Sequence, residues 1–475
     1  MKHRHLIELM MVWVWAASVA AEPIALHPDN GHYLVWRGKP VVLITSGEHY
    51  GAVLNSDFDY VRYLKTLQAE GMMLTRTFTG AYCEPPGAFN IVNNTLAPAK
   101  ERLICPWARS DTPGYANGGN KFDLTRWDER YFQRLRDFVA TAARHDVIVE
   151  LVLFCPFYKD DMWHLSPMNA RNNVNGIGDV GREEVYTLRN AALQGVQDTM
   201  ARKIVTELKD FDNLYYEICN EPYFGGVTLD WQAHIAGVIV ETEKALGVRH
   251  LIAQNIANKT QTITNPDPRV SIFNFHYAKP PTAVTDNYGL NRVIGDDETG
   301  FAGSADEPYR IEAWNFILAG GGIFNHLDYS FQVGHEDGRG TIKAPGGGGP
   351  TFREQMRILK RFIHGFNFVA MRPDRSVVVG GLPEKASAYA LARTGRAYAI
   401  YASGCDGPVD LVVSLPPGSW RAVWVDTKSG QTTAERFTHD GGGKTLRSPT
   451  FKTDIALQIR RPARRAAARS GGTGG

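Results

Sequence analysis

Two stretches of the chain end an apolar run on a carboxylate. Residues 213–226 read NLYYEICNEPYFGG, and residues 292–300 read RVIGDDETG. In the first, Glu221 stands between Asn220 and Pro222. In the second, Glu298 closes a run of three acids and lies two residues before Gly300. Two carboxyl groups in different surroundings divide into a proton donor and a base or nucleophile, because environment moves their pKa values apart. Asp296 and Asp297 compete with Glu298 for the second role, and the Thr-Gly that follows favours Glu298. Glu217 shares the side of Glu221 but lies one layer deeper, so it reads as a buried carboxylate paired with a cation such as Arg76. No His-Glu-x-x-His helix is present, which argues against a zinc hydrolase.

These acids need elements to position them. KPVVLITSGEHY, MMLTRTF, VIVELVLFCPF, NLYYEICNEP, HLIAQNIAN, VSIFNFHY, RVIGDDETG and GGIFNHLDYSF are near-continuous apolar runs, as strands of a parallel sheet buried on both faces are. Amphipathic segments alternate with them. SDFDYVRYLKTLQAEG predicts a helix capped by Ser56 and ended by Gly71, with Tyr60, Leu64 and Leu67 on its apolar stripe. Strands alternating with helices over residues 35–370 predict a (β/α)8 TIM barrel. A doubly wound open sheet is the alternative, but the chain has no Gly-x-Gly-x-x-Gly. From Met371 short alternating runs separated by Gly, Pro and Asp predict a small all-β sandwich. The expected organisation is a signal peptide over 1–21, the barrel over 22–370, the sandwich over 371–460 and a disordered tail over 461–475.

In such a barrel, functional groups sit where strands end. Glu221 and Glu298 then occupy the mouths of strands 4 and 7, on opposite sides of one cleft. That is the pair glycoside hydrolysis requires, one carboxylic acid protonating the leaving oxygen while the other attacks the anomeric carbon or activates water. With YEICNEP, VIGDDETG and KFDLTRWDERYFQRL in these places, residues 35–370 resemble the cellulase-like superfamily of retaining (β/α)8 glycoside hydrolases. The resemblance implies Glu221 as acid/base, Glu298 as nucleophile, Asn220 as a holder of a sugar hydroxyl and Arg76 as electrostatic support. At strand 6 the family shows His-x-Tyr and this chain has HYAKP, so either His276 or Tyr277 touches the nucleophile. Glu48 and His49 either bind a terminal sugar or close the first strand's loop. Trp163 is a candidate for stacking on a sugar ring, or else packs on its neighbours. Long loops after strands 2 and 3 favour exo action by walling one end of the cleft. The chemistry needs no metal or organic cofactor. The expected partner is an oligosaccharide, polysaccharide or glycoconjugate. A carbohydrate-binding barrel without activity, or a transglycosylase using the same intermediate, are the alternatives.

Bulk properties agree. Over 475 residues the chain is 43% hydrophobic and 21% charged with a net charge of +2, which gives no reason to expect nucleic acid or an anionic membrane as partner. The start MKHRHLIELMMVWVWAASVAAEP has a basic end, an apolar run from Leu9 to Ala20 too short to span a bilayer, and small residues at Ser18–Ala21. It predicts a secretory signal and a secreted or periplasmic protein, with a retained anchor as the alternative. Of five cysteines, Cys83 and Cys105 flank one loop and are candidates for a bridge in an oxidising compartment, while Cys155 and Cys219 read as small core residues.

Overall fold

The eight apolar runs form eight parallel strands in a computed structural model that describes residues 22–462. They are β1 (Leu43–Gly47), β2 (Leu74–Phe78), β3 (Ile148–Phe154), β4 (Leu214–Cys219), β5 (Ile252–Asn258), β6 (Ile272–His276), β7 (Val293–Thr299) and β8 (Ile323–Leu327). Hydrogen-bonded neighbours follow the order β1-β8-β7-β6-β5-β4-β3-β2. The two ends of that order meet where Thr45 Oγ1 donates to the Leu74 carbonyl at 2.7 Å and the Phe78 N–H to the Tyr50 carbonyl at 3.0 Å. Seven strands are buried along their whole length and only β5 is partly exposed, the two-sided burial that made them legible. The signal-peptide segment 1–21 and the tail from residue 463 lie outside the described residues.

Helices α1 (Tyr60–Glu70), α2 (Glu129–Arg144), α3 (Ala191–Leu208), α4 (Leu229–Leu246), α5 (Thr282–Asn287), α6 (Asp306–Leu318) and α7 (Pro350–His364) accompany the strands. Two expectations change here. The cap of α1 is Asp59, which accepts from the Arg62 N–H at 3.0 Å, whereas Ser56 Oγ donates to the Arg102 carbonyl. No helix links β5 to β6, where Asn265-Pro266-Asp267-Pro268 removes backbone donors and disfavours the helical region before each proline. The loop after β2 carries a hairpin, Trp107–Pro113 against Asn120–Trp127, so KFDLTRW is a strand leading to α2. This loop is strapped to the loop after β8: the Val92 N–H donates to the Lys343 carbonyl at 2.9 Å, and Asn93 Nδ2 to Gln332 Oε1 at 3.1 Å.

Beyond α7 the chain builds two antiparallel sheets, of six and three strands, around a core that includes Leu411, Trp420, Leu446 and Leu457. This is the all-β module. It is fastened to α6, where Arg310 meets Asp454 at 2.6 Å and Trp314 stacks on Tyr401 at 5.2 Å. Asp454 also accepts from Tyr401 and Thr427, so the buried ion pair is fully hydrogen-bonded. All five cysteines are free, Cys83 and Cys105 among them. Among the described residues, no helix is long and apolar enough to cross a membrane.

Candidate active site

A cavity of about 610 Å³ opens at the C-terminal ends of the strands, and Glu221 and Glu298 both line it. Every lining residue falls between His49 and Ala302, so the all-β module contributes none. One oxygen of Glu221, one of Glu298 and a ring nitrogen of His276 lie within 4.8 Å of one another.

The backbone delivers these side chains by two irregularities. Tyr50, Glu221 and Tyr277 have φ of 62°, 36° and 53°, a region that non-glycine residues enter at a cost of order 1–3 kcal/mol each. The strain turns each side chain off its strand end into the mouth. Between β6 and β7, Phe275 pairs with Asp296 but His276 pairs with Glu298, so Asp297 is an extra residue in β7. The bulge breaks the usual alternation, and two consecutive acids thereby serve the barrel interior. Asp297 meets Arg76 Nε at 3.1 Å, and Glu298 reaches the cavity. Asp296 does not line the cavity; burial pushes its carboxyl well up, and Glu312 on α6 adds to this.

Glu298 accepts hydrogen bonds from Tyr277 at 2.5 Å and Tyr50 at 2.9 Å, and Arg76 Nη1 stands 3.5 Å away. Tyr277 therefore occupies the place left open between it and its neighbour, while His276 bridges the two acids, 3.2 Å from Glu221 and 3.6 Å from Glu298. Glu221 accepts from Tyr158 at 2.6 Å and Tyr223 at 3.1 Å. Asn220 accepts from Arg76 at 2.7 Å, donates to Tyr158 at 2.8 Å, and also lines the cavity.

Arg76 and His276 lie beneath the acids and do not line the cavity; they touch the carboxylates, not the space above them. Glu48 is also held away from it. Its carboxylate accepts from the Gly51 and Ala52 N–H groups and from Thr95, closing the loop after β1. Trp163 is buried, packs on Phe157 and donates to the Val180 carbonyl, so it offers no face to a ligand. His49 does line the cavity. The sequence reading gave no role to Tyr50 and Tyr158 at the ends of β1 and β3, to Tyr223 beside Glu221, or to Glu84 from the loop after β2.

No protein-family model matches the chain, and no curated protein matches it in sequence. Solved structures match in three dimensions. A glycoside hydrolase family 5 protein from Bacteroides vulgatus ATCC 8482 superposes with a TM-score of 0.60 over 92% of this chain and 93% of its own, at 14% identity. A second glycoside hydrolase gives 0.60 over 92% of this chain and 97% of its own, at 16% identity. The chain shares their fold. The superposition spans barrel and all-β module together, in line with the cellulase-like architecture that the strand-end motifs implied.

The electrostatics of the pair follow from its neighbours. Burial pushes Glu298 up, and the Glu221 carboxylate adds to this against the pull of His276 and Arg76. Burial also acts on Glu221, but the hydrogen bond and charge of His276 outweigh it and draw Glu221 down, helped by Tyr158 and Tyr223. His276 itself is desolvated, yet the charges of Glu298 and Asp297 hold it well up, as an imidazolium. Glu221, His276 and Glu298 have the spacing of metal ligands, as do Glu150, Glu217 and Asp297. In both trios a protein cation already engages the carboxylates, His276 in the first and Arg76 in the second. The arrangement can share one proton across two acids, both backed by tyrosine hydroxyls, Glu298 with a guanidinium beside it and both with His276 between them.

Proposed function

We propose that the protein is a retaining glycoside hydrolase acting on O-glycosidic bonds by double displacement. The observation that supports this most is the approach of Glu221 and Glu298 oxygens to within 4.8 Å in one cavity. Retaining enzymes hold their carboxyl groups about 5–5.5 Å apart, whereas inverting enzymes leave about 6.5–9.5 Å for a water. Glu298 attacks the anomeric carbon and forms a glycosyl ester, and the leaving oxygen takes the proton of Glu221. Glu221 then removes a proton from water, which hydrolyses the ester and returns Glu298 as carboxylate. Tyr50, Tyr277 and Arg76 support the ionised nucleophile.

The resting balance leaves the shared proton on the Glu298 side, and the first step requires it on Glu221. A glycoside entering the cavity displaces water from Glu221 and places an acceptor oxygen beside it, and both changes favour its protonated form. Glu298 keeps its two tyrosine donors and its guanidinium in the same state. The segment 1–21 supports the additional proposal that the enzyme is exported.

A dinitrophenyl glycoside tests the assignment, because its leaving group needs no acid. Glu221→Ala should nearly spare glycosylation and slow deglycosylation, with azide restoring turnover and giving a glycosyl azide of retained configuration. Glu298→Ala should abolish formation of the intermediate. Near-normal turnover by both folded variants would exclude the mechanism and leave a barrel that only binds carbohydrate.

A further inference from the structure

The cavity has a blind end and an open end. Near Glu221 it is rimmed by Phe224 and, beside Glu298, by Phe301, which are 43% and 40% exposed. Its other wall consists of His49, Tyr50, Phe78, Glu84 and Leu96, all buried. That wall is rigidly built. Thr95 donates to both Glu48 and the His49 carbonyl, the Glu84 N–H donates to the Leu96 carbonyl, and the strap ties the same loop to the loop after β8. The partners of the two acids sort along the same axis. Glu298 accepts from buried Tyr50, on the closed side, and from half-buried Tyr277, while Glu221 accepts from half-buried Tyr158 and from Tyr223, which is surface-exposed on the open side. A sugar attacked by Glu298 therefore sits toward the blind end, and its leaving group points out past Glu221.

Two polar groups in the blind wall have capacity that the protein does not use. Glu84 is 4% exposed, and its carboxyl is held only by the neutral donors Tyr82 at 3.0 Å and Asn94 at 2.5 Å, one on each oxygen. Each oxygen keeps a lone pair beyond those bonds. His49 is 7% exposed, and its Nδ1 has no hydrogen-bond partner among the described residues. Burial pushes Glu84 up to about 7 and His49 down to about 3, so one is a carboxyl poised between acceptor and donor and the other a neutral imidazole. A buried polar atom without a partner is costly unless a ligand supplies one.

We propose that Glu84 and His49 recognise hydroxyls of a terminal sugar at the blind end of the cavity, so that the enzyme removes single sugars from chain ends. The inference rests on the reading of Glu221 and Glu298 as the reacting pair. Glu84 sets specificity by contact with the sugar, and an internal segment of a polysaccharide has no path through the wall behind it.

The test uses the full chain, a panel of 4-nitrophenyl glycosides of single hexoses and pentoses, their monodeoxy analogues, and oligosaccharides labelled at the reducing end. The wild type should cleave a single-sugar aryl glycoside and shorten the labelled oligosaccharide one unit at a time. Glu84→Ala should lose roughly ten- to a hundredfold in kcat/KM on the intact sugar, as expected for a hydrogen bond to a charged group. On the analogue lacking the hydroxyl that Glu84 reads, the wild type should fall by the same factor and Glu84→Ala little further. Glu84→Gln preserves the shape of the wall and carries the same comparison if Glu84→Ala does not fold. Internal cleavage of the oligosaccharide, or additive losses on every deoxy analogue, overturns the proposal. Activity retained by Glu298→Ala on the same panel instead overturns the reading beneath it, whatever Glu84 does.

Discussion

Replacing His276 by Gln removes the positive charge between the two acids while keeping a hydrogen-bond donor in its place. The ring nitrogen is 3.2 Å from Glu221 and 3.6 Å from Glu298, and the other nitrogen is 3.4 Å from Asp297. At an effective dielectric of about 20, a unit charge at the first two separations is worth about 5 kcal/mol. That corresponds to an upper bound of between about 3 and 4 pKa units, and opposite charges at such distances shift carboxylates by about 1–3 units in practice. The sign is the same for both acids. An opposite charge favours the ionised form, so its loss raises Glu221 and Glu298 together, and an uncompensated Asp297 raises them further. In kcat/KM against pH, the two limbs report the macroscopic pKa values of the Glu221–Glu298 pair, which is active with one proton between its two carboxyls. Both limbs of His276→Gln should therefore move to higher pH by about 1–3 units. The variant should lose activity on the acid side of the wild-type optimum and keep more of it on the alkaline side. The assay is steady-state hydrolysis of an aryl glycoside across pH, with thermal melting to verify the fold. An unmoved profile, or one displaced to lower pH, refutes the view that His276 is an imidazolium serving both carboxylates.

Two further outcomes follow from particular contacts. Tyr50→Phe and Tyr277→Phe each remove a donor from Glu298; a bond to a charged acceptor is worth about 1.5–3 kcal/mol, so kcat should fall between tenfold and a hundredfold in each single-turnover assay. Asp454→Ala leaves Arg310 buried and unpaired and should cost about 3–5 kcal/mol in urea unfolding, with aryl-glycoside kinetics unchanged because no residue beyond Ala302 lines the cavity. Burial raises Asp454, but Arg310, Thr427 and Thr453 outweigh it and hold it low. Its stabilisation is thus present above the unfolded-state pKa and lost as pH falls through the folded one, so the variant should show a shallower acid limb in its stability profile.

The barrel was legible because parallel strands buried on both faces leave long apolar runs, and because its functional groups gather where those runs stop. NLYYEICNEP and RVIGDDETG therefore gave both carboxylates and their relation across the mouth. What the sequence hid was local geometry. A one-residue bulge at Asp297 has no compositional signal, so the following Thr-Gly favoured Glu298 among the three acids of β7 while the separate places of Asp296 and Asp297 emerged only from the register of β6 against β7. Tyrosines are common in cores, so nothing marked Tyr50 or Tyr158 as partners of acids some 248 and 63 residues away in the chain. Positive φ at Tyr50, Glu221 and Tyr277 was equally silent, since no glycine announced it. Two signals were present and went unread. Glu84 is an acid set between Cys83 and Pro85-Pro86 in the longest loop, and Asn265-Pro266-Asp267-Pro268 forbids the helix that the repeating pattern asks for.

Asp297, which competed with Glu298 in the sequence, turns out to serve it instead. The proposed nucleophile must be ionised in a buried place, and Arg76 supplies a charge that favours this. Arg76 is itself wholly buried, and an unpaired guanidinium there would cost several kcal/mol. Glu217 at 2.5 Å and Asp297 at 3.1 Å provide its counter-charge, with Glu150 at 4.0 Å. Three carboxylates around one guanidinium overshoot, and protons correct the balance. Burial pushes Glu217 well up and Glu150 up to about 7, while Asp297, also buried, is drawn down by Arg76 and His276. Asn274 donates to both Glu150 and Glu217 and fixes their orientation. Each layer below the cavity therefore answers a charge created in the layer above it. An apolar filling of the same volume would stabilise the barrel as well or better, but it could not hold Arg76 beneath Glu298.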